Sequence, residues 1–90
     1  MAEETHKEFR DLLELMQSVE NDRGVPRNIR TVIAGAMQKV NVKKPKGEDF
    51  SNAIYMLDDI SNDINMPTNT RTDIWGIISK MESIKEKLKE

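Results

Sequence analysis

Slid along itself until residue 9 falls on residue 50, the chain matches itself without a gap from 9–40 onto 50–81, with ten identities. The identical pairs are Phe9/Phe50, Asn21/Asn62, Asp22/Asp63, Pro26/Pro67, Asn28/Asn69, Arg30/Arg71, Thr31/Thr72, Ile33/Ile74, Gly35/Gly76 and Lys39/Lys80. Character is kept at Leu15/Met56, Met16/Leu57, Val19/Ile60 and Val25/Met66. Two unrelated amphipathic helices would share leucines, not ND-x-x-x-P-x-N-x-RT. A fixed internal period limits the fold to one local unit used more than once. The chain reads as that unit written twice.

Each unit reads as a helical hairpin. Phe9, Leu12, Leu13, Met16 and Val19 recur at three- and four-residue steps and so share one helix face. Ile29, Val32, Ile33, Ala36, Met37 and Val40 do the same in a second helix. A third carries Phe50, Ala53, Ile54, Leu57 and Ile60, and a fourth Ile74, Ile77, Ile78, Met81, Ile84 and Leu88. No alternating pattern suggests strands. Thr5-His6-Lys7-Glu8 has the S/T-x-x-E form of a capping box, which predicts a helix start at Thr5. Hairpins with one apolar face each bury it by stacking, which predicts an all-α four-helix bundle of approximate two-fold symmetry. A solenoid of such units needs three or more. The 90 residues make one domain: unit one over about 5–43, a polar hinge at 44–47 and unit two over 48–88.

Most of the repeated signature is explained by the corners. Asn21 and Asn62 suit a left-handed helix end, and Pro26 and Pro67 suit the first turn of the next helix. Proline also pushes Val25 and Met66 out of helical conformation. Asp22 and Asp63 precede a positive helix N-terminus, and each is placed to pair across the turn with Arg30 or Arg71.

Charge is sorted by helix. Residues 1–22 hold seven acids against Lys7 and Arg10, 23–47 hold seven bases and no acid, and 48–63 hold five acids and no base. The formal net charge is nevertheless only -2, so no bulk basic excess draws the chain onto nucleic acid. One reading is that neighbouring helices complement each other and fix the packing order. The other is a cationic strip for RNA or an acidic partner, carried by Arg23, Arg27, Arg30, Lys43, Lys44 and Lys46. No aromatic is interleaved with these bases, which argues against single-strand stacking and leaves duplex backbone open.

Little here supports catalysis. With no cysteine there is no disulfide scaffold, thiolate metal site or cysteine nucleophile, and one histidine cannot build a histidine-rich metal centre. Asp58-Asp59-x-x-x-Asp63 resembles an aspartate-rich metal box, but a chain this short cannot enclose the apolar cavity such chemistry uses, so a solvated face is expected. His6 is expected at the surface. No phosphate loop, nucleophile elbow or HExxH occurs. No enzyme activity, cofactor, metal or small-molecule substrate is expected. Gly35 and Gly76 are different, since mid-helix glycine costs about 1 kcal/mol against alanine. Both fall off their apolar stripes, as does Trp75, and together they mark a candidate contact with another chain. The alternative is a tolerated glycine pair, or a wider core face that takes in Trp75.

VPRNIRT at 25–31 and ISNDINMPTNTRTDIW at 60–75, with the length and helical pattern, resemble a small uncharacterised archaeal protein family of the UPF class. The resemblance covers nearly the whole chain. It implies an all-α four-helix bundle in a soluble cytoplasmic protein, and it carries no activity or site residue with it. The start MAEETHKEFR lacks an export h-region, and no apolar run is long enough to span a bilayer, so a cytoplasmic, non-membrane protein is expected. The function expected is a non-catalytic protein-interaction module that self-associates, with an RNA- or ribonucleoprotein-associated role of the basic second helix and hinge as the alternative.

Overall fold

Each apolar stripe closes into one helix. In the computed structural model, residues 3–88 are described and form α1 (Glu3–Glu20), α2 (Arg27–Val40), α3 (Gly47–Ile60) and α4 (Thr68–Lys87), with no strand among them. The connections at 21–26, 41–46 and 61–67 are short enough to force antiparallel neighbours. α1 packs on α2 and α4, α3 packs on α2 and α4, and the diagonal helices do not touch through their backbones. The result is a four-helix bundle of 38 × 20 × 19 Å. None of the described helices is long and apolar enough to cross a membrane.

The interior is formed by the predicted stripes. Leu12, Met16, Ile29, Ile33, Ala36, Val40, Phe50, Ala53, Leu57, Ile74, Ile77, Met81 and Ile84 have no exposed surface, and Val19 is nearly as buried. Each large aliphatic so buried contributes about 1.5–3 kcal/mol. Val25 and Met66 close one end from the corners. Phe9 and Phe50 meet edge-to-face across the bundle axis, with ring centroids 6.0 Å apart.

The two corners share the bonds that their aspartates make to the turn. Asp22 accepts from the Gly24 N–H and Asp63 from the Asn65 N–H, both at 2.8 Å. The Val25 N–H reaches the Asp22 carbonyl and the Met66 N–H the Asp63 carbonyl. Thus both aspartates make Asx turns that hold the chain until Pro26 or Pro67 opens the next helix. Two expectations need correction. No described residue has a left-handed φ, so Asn21 and Asn62 do not end their helices that way; the last turns instead tighten, as in the Asp22 N–H to Val19 and Asp63 N–H to Ile60 bonds. Nor do the arginines pair with the aspartates. Arg30 donates its Nε–H to the Val25 carbonyl at 3.0 Å, and Arg71 donates to the Ser61 carbonyl and, at 3.0 Å, the Asp63 carbonyl. Carbonyls at the end of α3 have lost their helical donors, and the guanidinium supplies new ones. The two corners also touch, Asn28 Nδ2 donating to Asp63 Oδ2 at 3.0 Å.

The predicted start of α1 is displaced as well. Thr5 lies inside the helix and is buried, so it is no cap. Glu8, its supposed partner, faces α4 instead. At the start of α3, Lys46 has no side-chain acceptor to offer, and half of a capping box forms: its N–H donates to Asp49 Oδ2 at 2.9 Å.

The two mid-helix glycines lie against neighbouring helices of the same chain. A Cβ on Gly35 would stand 3.1 Å from Met56 Cε of α3, and one on Gly76 4.0 Å from Leu15 Cδ2 of α1. Met56 and Leu15 are themselves an equivalent pair of the internal repeat, so the same neighbour recurs, tight at Gly35 and at ordinary contact at Gly76. Gly76→Ala, with ordinary contact distance available, should gain about 0.5–1 kcal/mol from helix propensity. Gly35→Ala should gain less, because the Met56 methyl must shift. Urea unfolding of the two variants measures the difference; a larger gain at Gly35 contradicts the packing described.

Candidate functional site

With the interior full, function falls to the sides of the bundle, and helix phase decides what each presents. At about 100° per residue, His6, Arg10, Leu13, Gln17 and Glu20 share one flank of α1, and Glu4, Glu8, Asp11 and Leu15 share the other. The second flank faces α4. Glu8 accepts from Ser83 Oγ at 3.0 Å and from Lys87 Nζ, Glu4 lies 3.8 Å from the same ammonium, and Leu15 is the neighbour of Gly76. The first flank therefore faces α2, and two clefts touch that side, one beside α1 and α2 and one at the end of the bundle, where the connection after α2 meets α1 and the end of α4. One, of about 270 Å³, is lined by Glu20, Arg27, Arg30, Thr31 and Ala34. The other, of about 300 Å³, is lined by His6, Lys43, Lys44, Pro45 and Leu88.

The predicted basic strip is thereby divided. Arg23 is exposed at the corner tip and Arg27 is exposed in the first turn of α2. Arg30 is half-buried beside it, with Nε engaged and the rest of its fork unspent. Lys43, Lys44 and Lys46 are exposed at the other end of α2, about 20 Å away at 1.5 Å per residue. What joins the two groups comes from α1: exposed Arg10, midway, and His6 at the lower cleft. The phase of 6, 10, 13, 17 and 20 against 4, 8, 11 and 15 was the available signal. Packing order is not fixed by ion pairs from α2 either. Among the described residues, ion pairs join Lys7 to Asp11 and Lys87 to Glu4 and Glu8, and none involves a base of 23–47.

The opposite side, between α3 and α4, has another character. Trp75 is 59% exposed and Tyr55 76% exposed, so the core does not widen to include Trp75. Trp75 stands where the first unit has Ala34. Gly35 and Gly76, by contrast, have intramolecular neighbours. Asp58 and Asp59 are exposed, while both oxygens of Asp63 are occupied by Asn65 and Asn28. No group of three His, Cys, Asp or Glu suited to a metal ion occurs among the described residues.

Glu8 and Lys87 shift each other's protonation. The Lys87 hydrogen bond first, then that of Ser83, holds the Glu8 carboxyl below the ordinary glutamate range, and the bond to Glu8 raises the Lys87 ammonium above the ordinary lysine range. A depressed carboxyl stabilises the fold above its unfolded pKa, and that stability is lost as pH falls through the folded value. A raised ammonium stabilises below its unfolded pKa, and that stability is lost as pH rises through the folded value. Glu8→Gln should accordingly flatten the acid limb of stability between roughly pH 5 and pH 3. Urea midpoints across that range test this; an acid limb identical to that of the parent chain contradicts it.

Comparison with known proteins places this bundle among relatives of unassigned function. No functionally curated protein shows significant similarity to the chain. The crystal structure of an unknown-function protein, MMP1188, superposes with a TM-score of 0.78 at 38% identity, covering 84% of this chain and 88% of that one. The crystal structure of a protein from uncharacterized family UPF0147 of Thermoplasma acidophilum gives a TM-score of 0.82 at 30% identity, covering 88% and 94%. The profile of the uncharacterised protein family UPF0147 matches residues 1–84, and the chain belongs to that family.

Proposed function

We propose that the chain is a non-catalytic protein-interaction module that associates with a second copy of itself through the outer side of α3 and α4. The observation that carries this reading is Trp75, a large apolar side chain left 59% exposed by a bundle whose interior is complete without it. Tyr55 is 76% exposed on the neighbouring helix. One turn to either side of Trp75 stand Thr72 and Ser79, and one turn before Tyr55 stand Ser51 and Asn52. Two exposed aromatics on neighbouring helices supply the Trp and Tyr in which interface centres are enriched, with Asp58 and Asp59 one turn beyond Tyr55 as polar neighbours. The hydroxyls of Ser18, Thr31, Ser61 and Thr72 are spent on backbone carbonyls, which leaves these groups in structural roles.

Sedimentation velocity over a concentration series tests the reading. The parent chain should dimerise with a concentration-dependent blue shift of Trp75 emission. Trp75→Ala should weaken association by about 2 kcal/mol or more, the size of an anchor residue, with an unchanged melting temperature of the monomer. A parent chain that stays monomeric at millimolar concentration contradicts it.

A further inference from the structure

We infer that the groove between α1 and α2 is a docking surface for the phosphate backbone of a nucleic-acid duplex, independent of the side that carries Trp75. Five cationic side chains lie along this side: Arg27 and Arg30 line the upper cleft, Arg10 is exposed midway on α1, and Lys43 and Lys44 line the cleft at the end of the bundle. None has a carboxylate partner within ion-pair distance among the described residues, and only Arg30 has any bond, from Nε alone to a carbonyl. Three of the six acids of α1, Glu4, Glu8 and Asp11, are on the flank toward α4. Glu3 and Glu14 are exposed near the phase of Arg10, and Glu20 is the carboxylate lining the upper cleft. A protein of net charge -2 thus keeps an excess of positive charge on one side. Such an excess is a local field that net charge conceals.

The chemistry of this side selects its occupant. The two clefts lie about 20 Å apart by helical rise, a distance over which a duplex presents on the order of ten phosphates, at one charge per roughly 1.7 Å of axis. The bundle offers arginine forks at one end, which suit phosphate oxygens bidentately, and lysine point charges at the other. No aromatic lies on this side, since Tyr55 and Trp75 are on α3 and α4 and Phe9 packs against the core. A single strand would therefore find no stacking platform. A lipid surface would need several large apolar side chains to insert; Ala34 and Gln38 offer none, and Val42, 45% exposed beside Lys43, is the one large exposed apolar side chain near these bases among residues 3–46. Backbone contacts position a duplex without reading its sequence, so binding should be indifferent to base order.

The difference between the halves supports this. Positions required by the corner, Asp22, Pro26 and Arg30, recur in the second unit as Asp63, Pro67 and Arg71. Arg10 and Arg27 do not: their equivalents are Ser51 and Thr68. The fold works in the second half without cations at these places, so they have no architectural duty in the first. Arg30 itself keeps most of its fork available, whereas Arg71 spends both terminal nitrogens on carbonyls.

Fluorescence anisotropy with the full chain and labelled 20-base-pair RNA and DNA duplexes of two unrelated sequences tests the inference. Binding should be equal across sequences and weaken roughly a hundredfold between about 50 and 200 mM salt, as release of counterions from about four phosphates requires. Arg27→Glu with Lys44→Glu should weaken it at least about tenfold, while Lys85→Glu, the same kind of charge change on α4, should leave it within about twofold. Thermal melts of each variant separate lost binding from lost fold. Trp75→Ala should retain duplex binding per chain whatever it does to association, which separates this inference from the proposed self-association. Absence of duplex binding at the lower salt concentration overturns the inference. So does preference for the single strand, for heparin alone or for anionic vesicles, or an equal loss in Lys85→Glu.

Discussion

Four helices of 14 to 20 residues draw most of their stability from packing and must share one apolar interior. Everything else in this structure follows from how that interior is closed. Each helix contributes a stripe of aliphatic side chains, and Val25 and Met66 seal the end where the connections turn. A brief turn must then leave one helix, reverse and enter the next without abandoning backbone groups. Asp22 and Asp63 bridge to the N–H two positions on, proline starts the next helix, and arginine returns to carbonyls of the turn. Glycine at 35 lets Met56 lie close. These are constraints of closure, and they account for most of what recurs between the two halves.

The stripes were legible because burial imposes a period on sequence, and every residue placed on them is buried or partly buried. Details of helix ends were not, for a definite reason. The pattern Thr5-x-x-Glu8 is compatible with a cap, but Glu8 finds Ser83 and Lys87 near the other end of the chain, and no local pattern shows so distant a partner. Arg30 and Asp22 look like an ion pair on paper. In the fold the guanidinium meets carbonyls, because a turn leaves unsatisfied acceptors closer to it than the carboxylate. Asn21 and Asn62 can adopt a left-handed end, yet the chain tightens its last turn and needs none. In each case composition gave the right groups and three-dimensional placement chose among their possible partners.

Charge shows the same limit more sharply. Summed along the chain, 1–22 is an acidic block beside a basic one, and neutralisation across the α1–α2 contact is the natural expectation. A helix, however, distributes a block around its circumference. The acids at 4, 8 and 11 turn toward α4 and are used there or within α1, while His6 and Arg10 turn toward α2. Summing over sequence averages the two flanks and hides the fact that one of them is acidic while the other, with Arg10 against Glu20, is formally neutral. The electrostatic character of a bundle belongs to its grooves rather than its helices.

In a ring of four helices, the α1–α2 side and the α3–α4 side are opposite one another. Equivalent positions of the two units show what each side has done with the same place in the fold: Arg10 against Ser51, Arg27 against Thr68, Ala34 against Trp75. None of these six has a hydrogen-bonded side-chain role in the corners among the described residues, so substitution there leaves closure intact and the two sides are free to differ. A two-fold contact between copies through α3 and α4 would leave both α1–α2 grooves on the outside of the pair. Two grooves on one rigid body then engage one long polyanion with an affinity set by their spacing as well as by their charges. Opposite placement therefore makes the two surfaces compatible, because an occupant of one does not cover the other.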